Sequence, residues 1–418
     1  MALLLLLPLA ILFYIAINQY RYHVGSLLLF PFLLHFGLNI FGVLNLYLID
    51  NTTTTGIYIP EKTINQVTFE FFCANIFIMV AFFILMKLIG KRTFHGDVLD
   101  YFKSTRAKSL NKKLIAATFF LLLFDSFYYG IPPGLLALSG NISDSALQKG
   151  LILETKMQSA VPVLGYYVRY LPIIAFVHAL LFYQFNSSSF KQIFSLCVAF
   201  FLYSLLTLIK SYLFLPLLFL LWSFFCFGGL RISHIFRMLI VIVPTLALTF
   251  SALSTQFSKI FSAIVSRIFL VQAEGMFVIR GFYDEIHLGA IFFSSPLRHF
   301  FSIKTFDPAA AIVRHYFGDG NGWVNMNSFY SGQGYVMFGY SYLAIIPVLF
   351  VLQFLLTRTL LRSLVDNGLA NVILISIGIL LPLSNNIANL IWFKDFYSVI
   401  MLIPFLLIIT YRSKRVIK

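Results

Sequence analysis

The chain has 418 residues, of which 60% are apolar and only 11% charged, and its mean hydropathy is +0.90. An ordinary globular domain carries about 25% charge, so a soluble fold is excluded, and the continuous apolar runs exclude a membrane β-barrel, whose strands alternate in short segments. The net charge of +15 arises from 30 Lys and Arg against 15 Asp and Glu; most of these cations fall in short loops between apolar runs, a pattern of membrane topology and not of nucleic-acid binding.

From the N-terminus, Met1 opens into ALLLLLPLAILFYIAI without a basic leader or a small-residue cleavage site, which predicts a retained first spanning helix and not a removed signal peptide. Further apolar runs predict spans near 2–18, 25–49, 67–86, 114–131, 161–183, 192–209, 212–229, 238–254, 334–356, 369–385 and 396–411. The expected fold is an all-α, polytopic transmembrane bundle of about eleven spans, with 10–14 compatible with the layout. Between Lys87 and Lys113 eight cations face only Asp97 and Asp100, so this loop is expected in the cytoplasm. Counting spans from it puts the basic tail Arg412 to Lys418 inside and the N-terminus outside. Three stretches then face outward: 50–66, 132–160 and 255–333. The domain layout is 1–254 with eight helices, 255–333 as a large extracytoplasmic loop region, and 334–418 with the C-terminal helices. Cys73, Cys197 and Cys226 lie within apolar segments and read as small hydrophobes, not as a disulfide or metal framework.

Ionisable groups at membrane depth are costly and usually functional. Arg169 lies about eight residues into its span, roughly 12 Å along the helix; it either snorkels to the interface or grips a phosphate or pyrophosphate with its guanidinium fork. Lys210 occupies an outer hairpin, as a topological charge or as a substrate-binding cation. The stretch 266–289, SRIFLVQAEGMFVIRGFYDEIHLG, mixes apolar positions with Arg267, Glu274, Arg280, Asp284, Glu285 and His287. As a helix it places Arg267, Val271, Glu274 and Val278 on one face, where cation and carboxylate form a structural pair or a site. In the second case Arg267 and Arg280 hold a diphosphate, and Glu274 or Asp284 takes a hydroxyl proton. Downstream, Arg314 and His315 precede a run rich in Gly, Asn and aromatics that includes Trp323, Asn327, Tyr330 and Tyr335. Flat rings there suit stacking against sugars or an interfacial aromatic belt. Walker, GxGxxG and HExxH motifs and Cys/His clusters are absent, so neither a cofactor nor a metal is expected.

With these residues in place the chain resembles the bacterial Wzy family of O-antigen or oligosaccharide repeat-unit polymerases. The resemblance lies in the layout of nearly the whole chain and in two patterns. One is Arg267-Ile-Phe leading to Phe282-Tyr283-Asp284-Glu285; the other is Asn327 followed by Gly332, Gly334 and Tyr335-x-x-Phe-Gly. It implies a GT-C-like glycosyltransferase of the bacterial inner membrane that needs neither a nucleotide sugar nor a metal. The growing glycan on undecaprenyl diphosphate would pass to a new lipid-linked repeat unit at the outer leaflet. Arg169, Arg267 and Arg280 would hold the donor diphosphate, with Lys210, Arg314, Asn327 and Tyr335 as further substrate contacts. Glu274, then His315 and Asp284, would take the acceptor proton. The implied partners are undecaprenyl-diphosphate-linked oligosaccharide, membrane lipids, a chain-length regulator and a flippase. A flippase or exporter of the same lipid-linked glycan and an O-antigen ligase are the rival readings. A membrane acyltransferase would need His178 or His315 as base, but His178 lies near the inner end of its span, where a hydrogen bond to a neighbouring helix is expected.

Overall fold

The structure, a computed structural model, describes residues 2–48, 51–53, 56–128, 130–141, 143–145, 147–150, 162–186, 190–209, 211–227, 271–292, 295, 304–318, 330–380 and 387–411. The elements run α1 Ala2–Tyr20, a 3-10 turn Val24–Leu29, α2 Phe30–Leu48, α3 Glu61–Ile89, α4 Lys91–Lys103, α5 Thr105–Tyr128 and α6 Pro133–Leu138. They continue with α7 Pro162–Asn186, α8 Lys191–Thr207, α9 Ser211–Phe227, α10 Val271–Phe282, α11 Pro308–Phe317 and α12 Tyr330–Phe338. The last are α13 Tyr342–Leu364, α14 Asn367–Ile379, α15 Ala388–Ile391 and α16 Lys394–Tyr411. No strand occurs among the described residues; a single isolated bridge joins Thr52 and Tyr58.

Four stretches are long and apolar enough to cross a bilayer, Val24–Leu46, Glu61–Ile89, Gly165–Asn186 and Tyr330–Leu364, and shorter apolar helices cover Leu7–Tyr20, Lys191–Thr207, Phe214–Phe227 and Asn367–Ile379. An all-helical build with such lengths is that of a membrane protein, because a helix satisfies its own backbone where no water is present. Helix occurs in every apolar run expected to be helical except 238–254, which lies outside the described residues.

Aromatic side chains weld the helices together. Phe13 stacks on Phe36 at 4.5 Å between centroids and Phe36 on Phe71 at 6.2 Å, so one stack joins α1, α2 and α3. The charged stretch from Lys87 to Lys113, expected as a loop, is helical. Gly90 adopts φ +79°, a conformation open to glycine, and turns the chain between α3 and α4 in one residue. Phe94, Val98, Tyr101 and Phe102 recur at helical spacing and are buried. The partner of this face is α14, whose Gly368 approaches so closely that a Cβ would stand 2.2 Å from Tyr101 Cβ. Arg362 pairs with Asp97 beside this contact.

A buried polar chain crosses the same region. The Tyr101 hydroxyl and His178 Nε2 are 2.9 Å apart, His178 Nδ1 and Asn111 Oδ1 3.0 Å, and Asn111 Nδ2 donates to Gln192 Oε1 at 2.7 Å. One assignment satisfies all three bonds: tyrosine donates to Nε2 and a neutral imidazole donates from Nδ1. His178 is fully buried and both its nitrogens are engaged, so it joins α4, α5 and α7 and is not a solvent-facing base. Its expected role as a helix-to-helix hydrogen bonder is met.

The mixed-charge stretch departs from a solvent loop. Helix α10 lies against α2, α3, α11 and α12, with Ala273, Met276, Phe277, Val278 and Ile279 buried. Helix α10 is therefore built into the helical body, whereas 284–286 and 314–316 are exposed.

Candidate functional site

Helix α3 runs from Glu61 to Lys87 and Ile89, so its first turns lie at the end remote from the basic cluster around Lys87, Lys91 and Arg92. Two of its residues near that first end, Gln66 and Glu70, are one helical turn apart and share a face. Opposite them stands the last turn of α10, with Arg280. Arg280 Nε lies 3.2 Å and 3.1 Å from the two carboxylate oxygens of Glu70, and Nη2 lies 3.1 Å from Oε1. Both partners are buried, at 7% and 3% exposure. Burial of two charges is tolerated because the fork meets the carboxylate side-on and Gln66 supplies the carboxylate with a further donor.

Helix α12 and the turn after it complete the site. The Arg280 guanidinium carbon lies 3.3 Å from the centre of the Tyr335 ring, so the cation rests on the aromatic face. Arg280 Nη2 also donates to the Tyr340 hydroxyl at 3.3 Å. Gln66 Nε2 spends its protons on Glu70 Oε1 at 3.2 Å and on the Tyr340 hydroxyl at 2.8 Å. Gly334 allows this convergence, since a Cβ there would come within 3.1 Å of the buried Tyr342 ring. Tyr340 itself is 55% exposed and forms the rim. Arg280 Nη1 makes no hydrogen bond among the described residues, so the guanidinium is held by one edge and retains donors for a further anion.

Around the rim the chain is knitted by short contacts. His287 N donates to Val336 O at 2.8 Å and Phe306 N to Gly289 O at 3.2 Å. Tyr283 donates to Pro308 O at 3.4 Å; burial, with the charge of Asp307 second, pushes its phenol up to about 12. Asp307 caps α11 through the amides of Ala309 and Ala310, while burial raises its carboxyl above the usual range. His315 is exposed and sets its ring 4.9 Å from Phe282, and Asp284 is exposed two residues further along. Arg314 is exposed in the last turn of α11, within electrostatic reach of Asp307.

The residues expected from sequence thus divide. Arg280 and Tyr335 meet directly; His315 and Asp284 flank Phe282 beyond the end of α10. Glu274 is buried in the first turn of α10 and turned away, since six residues rotate it by roughly 120° from Arg280. The carboxylate on Arg280 is Glu70, a residue for which the sequence reading assigned no role. Lys210, Arg267 and Asn327 lie outside the described residues. Arg169 belongs to a second polar group: it lies 5.3 Å from the Tyr170 ring centre and is felt by Tyr212 together with Asp125. The buried carboxylate of Asp125 accepts from Tyr203 at 2.6 Å. Glu70 and Asp125 carried the same signal as Arg169, an ionisable side chain inside an apolar run.

Comparison with protein-family models, with curated proteins and with solved structures finds no match.

Proposed function

We propose that the chain is a multi-pass glycosyltransferase of the repeat-unit polymerase type, with about eleven spans in a GT-C-like arrangement in a bacterial inner membrane. Its substrate is an oligosaccharide carried on undecaprenyl diphosphate, and it works at the outer face, the end of the bundle remote from the basic helix α4. The observation that carries this reading is Arg280: a buried guanidinium locked on one edge by Glu70, backed by Tyr335, with Nη1 uncommitted beside an exposed tyrosine. Such a preorganised cation suits a diphosphate leaving group, whose charge grows as the glycosidic bond breaks.

In the reaction the bond between the donor's anomeric carbon and the diphosphate oxygen breaks, and one from that carbon to an acceptor hydroxyl oxygen forms. The hydroxyl proton passes to a carboxylate or imidazole, and the rim offers Asp284 and His315 for it. Arg280 neutralises the departing diphosphate; Arg169, Arg267, Lys210, Arg314 and Asn327 are assigned to the rest of the lipid-linked glycan. A chain-length regulator and a flippase are the implied partners.

A second reading, a flippase for the same substrate, is favoured by the group at Asp125, Tyr203 and Arg169, where charge lies among the helices of the body. Deleting the gene separates the two. Surface glycan as single repeat units on lipid A core supports the polymerase, full-length unattached chains indicate a ligase, and loss of all surface glycan indicates the flippase. A normal ladder contradicts every one of these readings.

A further inference from the structure

Proton accounting around Tyr340 assigns it a role that the sequence left open. Gln66 Nε2 and Arg280 Nη2 are donors only, and both point at the same phenol oxygen, at 2.8 and 3.3 Å. That oxygen therefore accepts twice. Glu70 accepts from Gln66 and Arg280, and no hydrogen bond joins it to the phenol among the described residues. Tyr340 makes no hydrogen bond as a donor among the described residues, yet it is the exposed member of a group in which Arg280 and Glu70 are buried and Gln66 and Tyr335 half-buried. Its ring is held edge-on to Tyr335 at 5.3 Å, so the hydroxyl is fixed in place beside Nη2 of Arg280.

We propose that Tyr340 is a substrate-binding residue that donates its phenol proton, as a hydrogen bond, to an anionic oxygen of the diphosphate held by Arg280. The inference rests on the diphosphate reading of Arg280 and adds the second point of attachment. The two N–H groups that bind the phenol oxygen polarise the O–H bond, so the donor is strengthened by the same contacts that orient it. Gln66 becomes a positioning residue: its amide ties the phenol to Glu70 and so to Arg280.

The test uses the full-length protein in lipid nanodiscs, titrated with farnesyl diphosphate and, as control for the tail, farnesol. Wild type is expected to bind the diphosphate in preference to farnesol. Tyr340→Phe is expected to bind it about tenfold more weakly, the loss of one hydrogen bond to a charged group. A 3-fluorotyrosine in place of Tyr340, at a pH where the phenol stays protonated, is expected to bind more tightly. That sign separates the roles, because fluorine makes the hydroxyl a better donor and its oxygen a poorer acceptor for Gln66 and Arg280. Weaker binding of the fluorinated protein, or unchanged binding of Tyr340→Phe, overturns the donor role of Tyr340 and leaves Arg280 as the diphosphate site. No preference for the diphosphate in wild type overturns the reading of Arg280 itself, and the role of Tyr340 with it.

Discussion

Arg280 and Glu70, separated by 210 residues of chain, meet side-on with contacts of 3.1 to 3.2 Å in a buried position. The pair fixes helix α10 against α3 and aims the guanidinium. Removing one partner strands a buried charge, which costs about 3–5 kcal/mol, whereas removing both together costs much less. Glu70→Ala is therefore expected to lower the thermal unfolding temperature in detergent sharply. Glu70→Gln with Arg280→Gln is expected to recover most of that loss. Equal and additive losses would show that the two charges do not depend on each other.

Two glycines on α2 and α14 should respond in opposite ways. A Cβ at Gly368 would stand 2.2 Å from Tyr101 Cβ and 2.4 Å from the Asp97 carbonyl, whereas one at Gly37 meets nothing within 4 Å. Gly368→Ala must force α14 off α4 and is expected to cost about 1–3 kcal/mol or more. Gly37→Ala, inside a helix, is expected to be neutral or stabilising by about 0.5–1 kcal/mol. Unfolding temperatures of the two variants check both expectations.

Tyr101→Phe removes the donor to His178 Nε2 at a fully buried site. The orphaned acceptor costs about 1–3 kcal/mol, and the loss is expected in stability with glycan chain length unchanged wherever the protein folds. A shortened glycan at normal protein abundance would give this chain a functional role.

How much of this could be read from the sequence differs residue by residue. The helices follow from apolar runs too long for anything else, and the bonding role of His178 follows from its depth in one of them. Arg280 stood out because charge is scarce in this chain, and Tyr335 because it falls in the Gly- and Asn-containing run just before a span. The carboxylate on Arg280 did not, since helical spacing shows only neighbours on one helix and linked Glu274 to Arg267, while the partner of Arg280 sits on α3. Glu70 was marked by its own cost, a carboxylate in QVTFEFFCANIF, but nothing local says which cation it meets. The helix α4 was hidden by its charges; Phe94, Val98, Tyr101 and Phe102 at helical spacing were the sign of a packed face. Tyr340 became visible only once donors and acceptors could be counted in three dimensions.

At the basic end, two histidines make acid a structural stress. His23 Nδ1 accepts from Gly25 N at 2.9 Å and His95 Nδ1 from Val24 N at 3.3 Å, their rings 4.8 Å apart. Burial, and next the charge of His95, lower His23 from 6.5 to about 4, and burial lowers His95. The folded state thus resists protons that the unfolded chain accepts, so stability is complete above about pH 6.5 and declines as pH falls toward about 4. His23→Asn, which keeps an acceptor for Gly25 N, is expected to flatten the fall of unfolding temperature over that window. An equally steep fall in the variant would place the acid sensitivity elsewhere.

The most direct test is complementation of the deleted gene by the doubly neutral Glu70→Gln, Arg280→Gln protein, with membrane abundance measured beside the surface glycan. A buried neutral pair keeps the helices together while removing the cation. The expected result is wild-type abundance with single repeat units only. A full glycan ladder from that protein would contradict the assignment of Arg280 to the diphosphate.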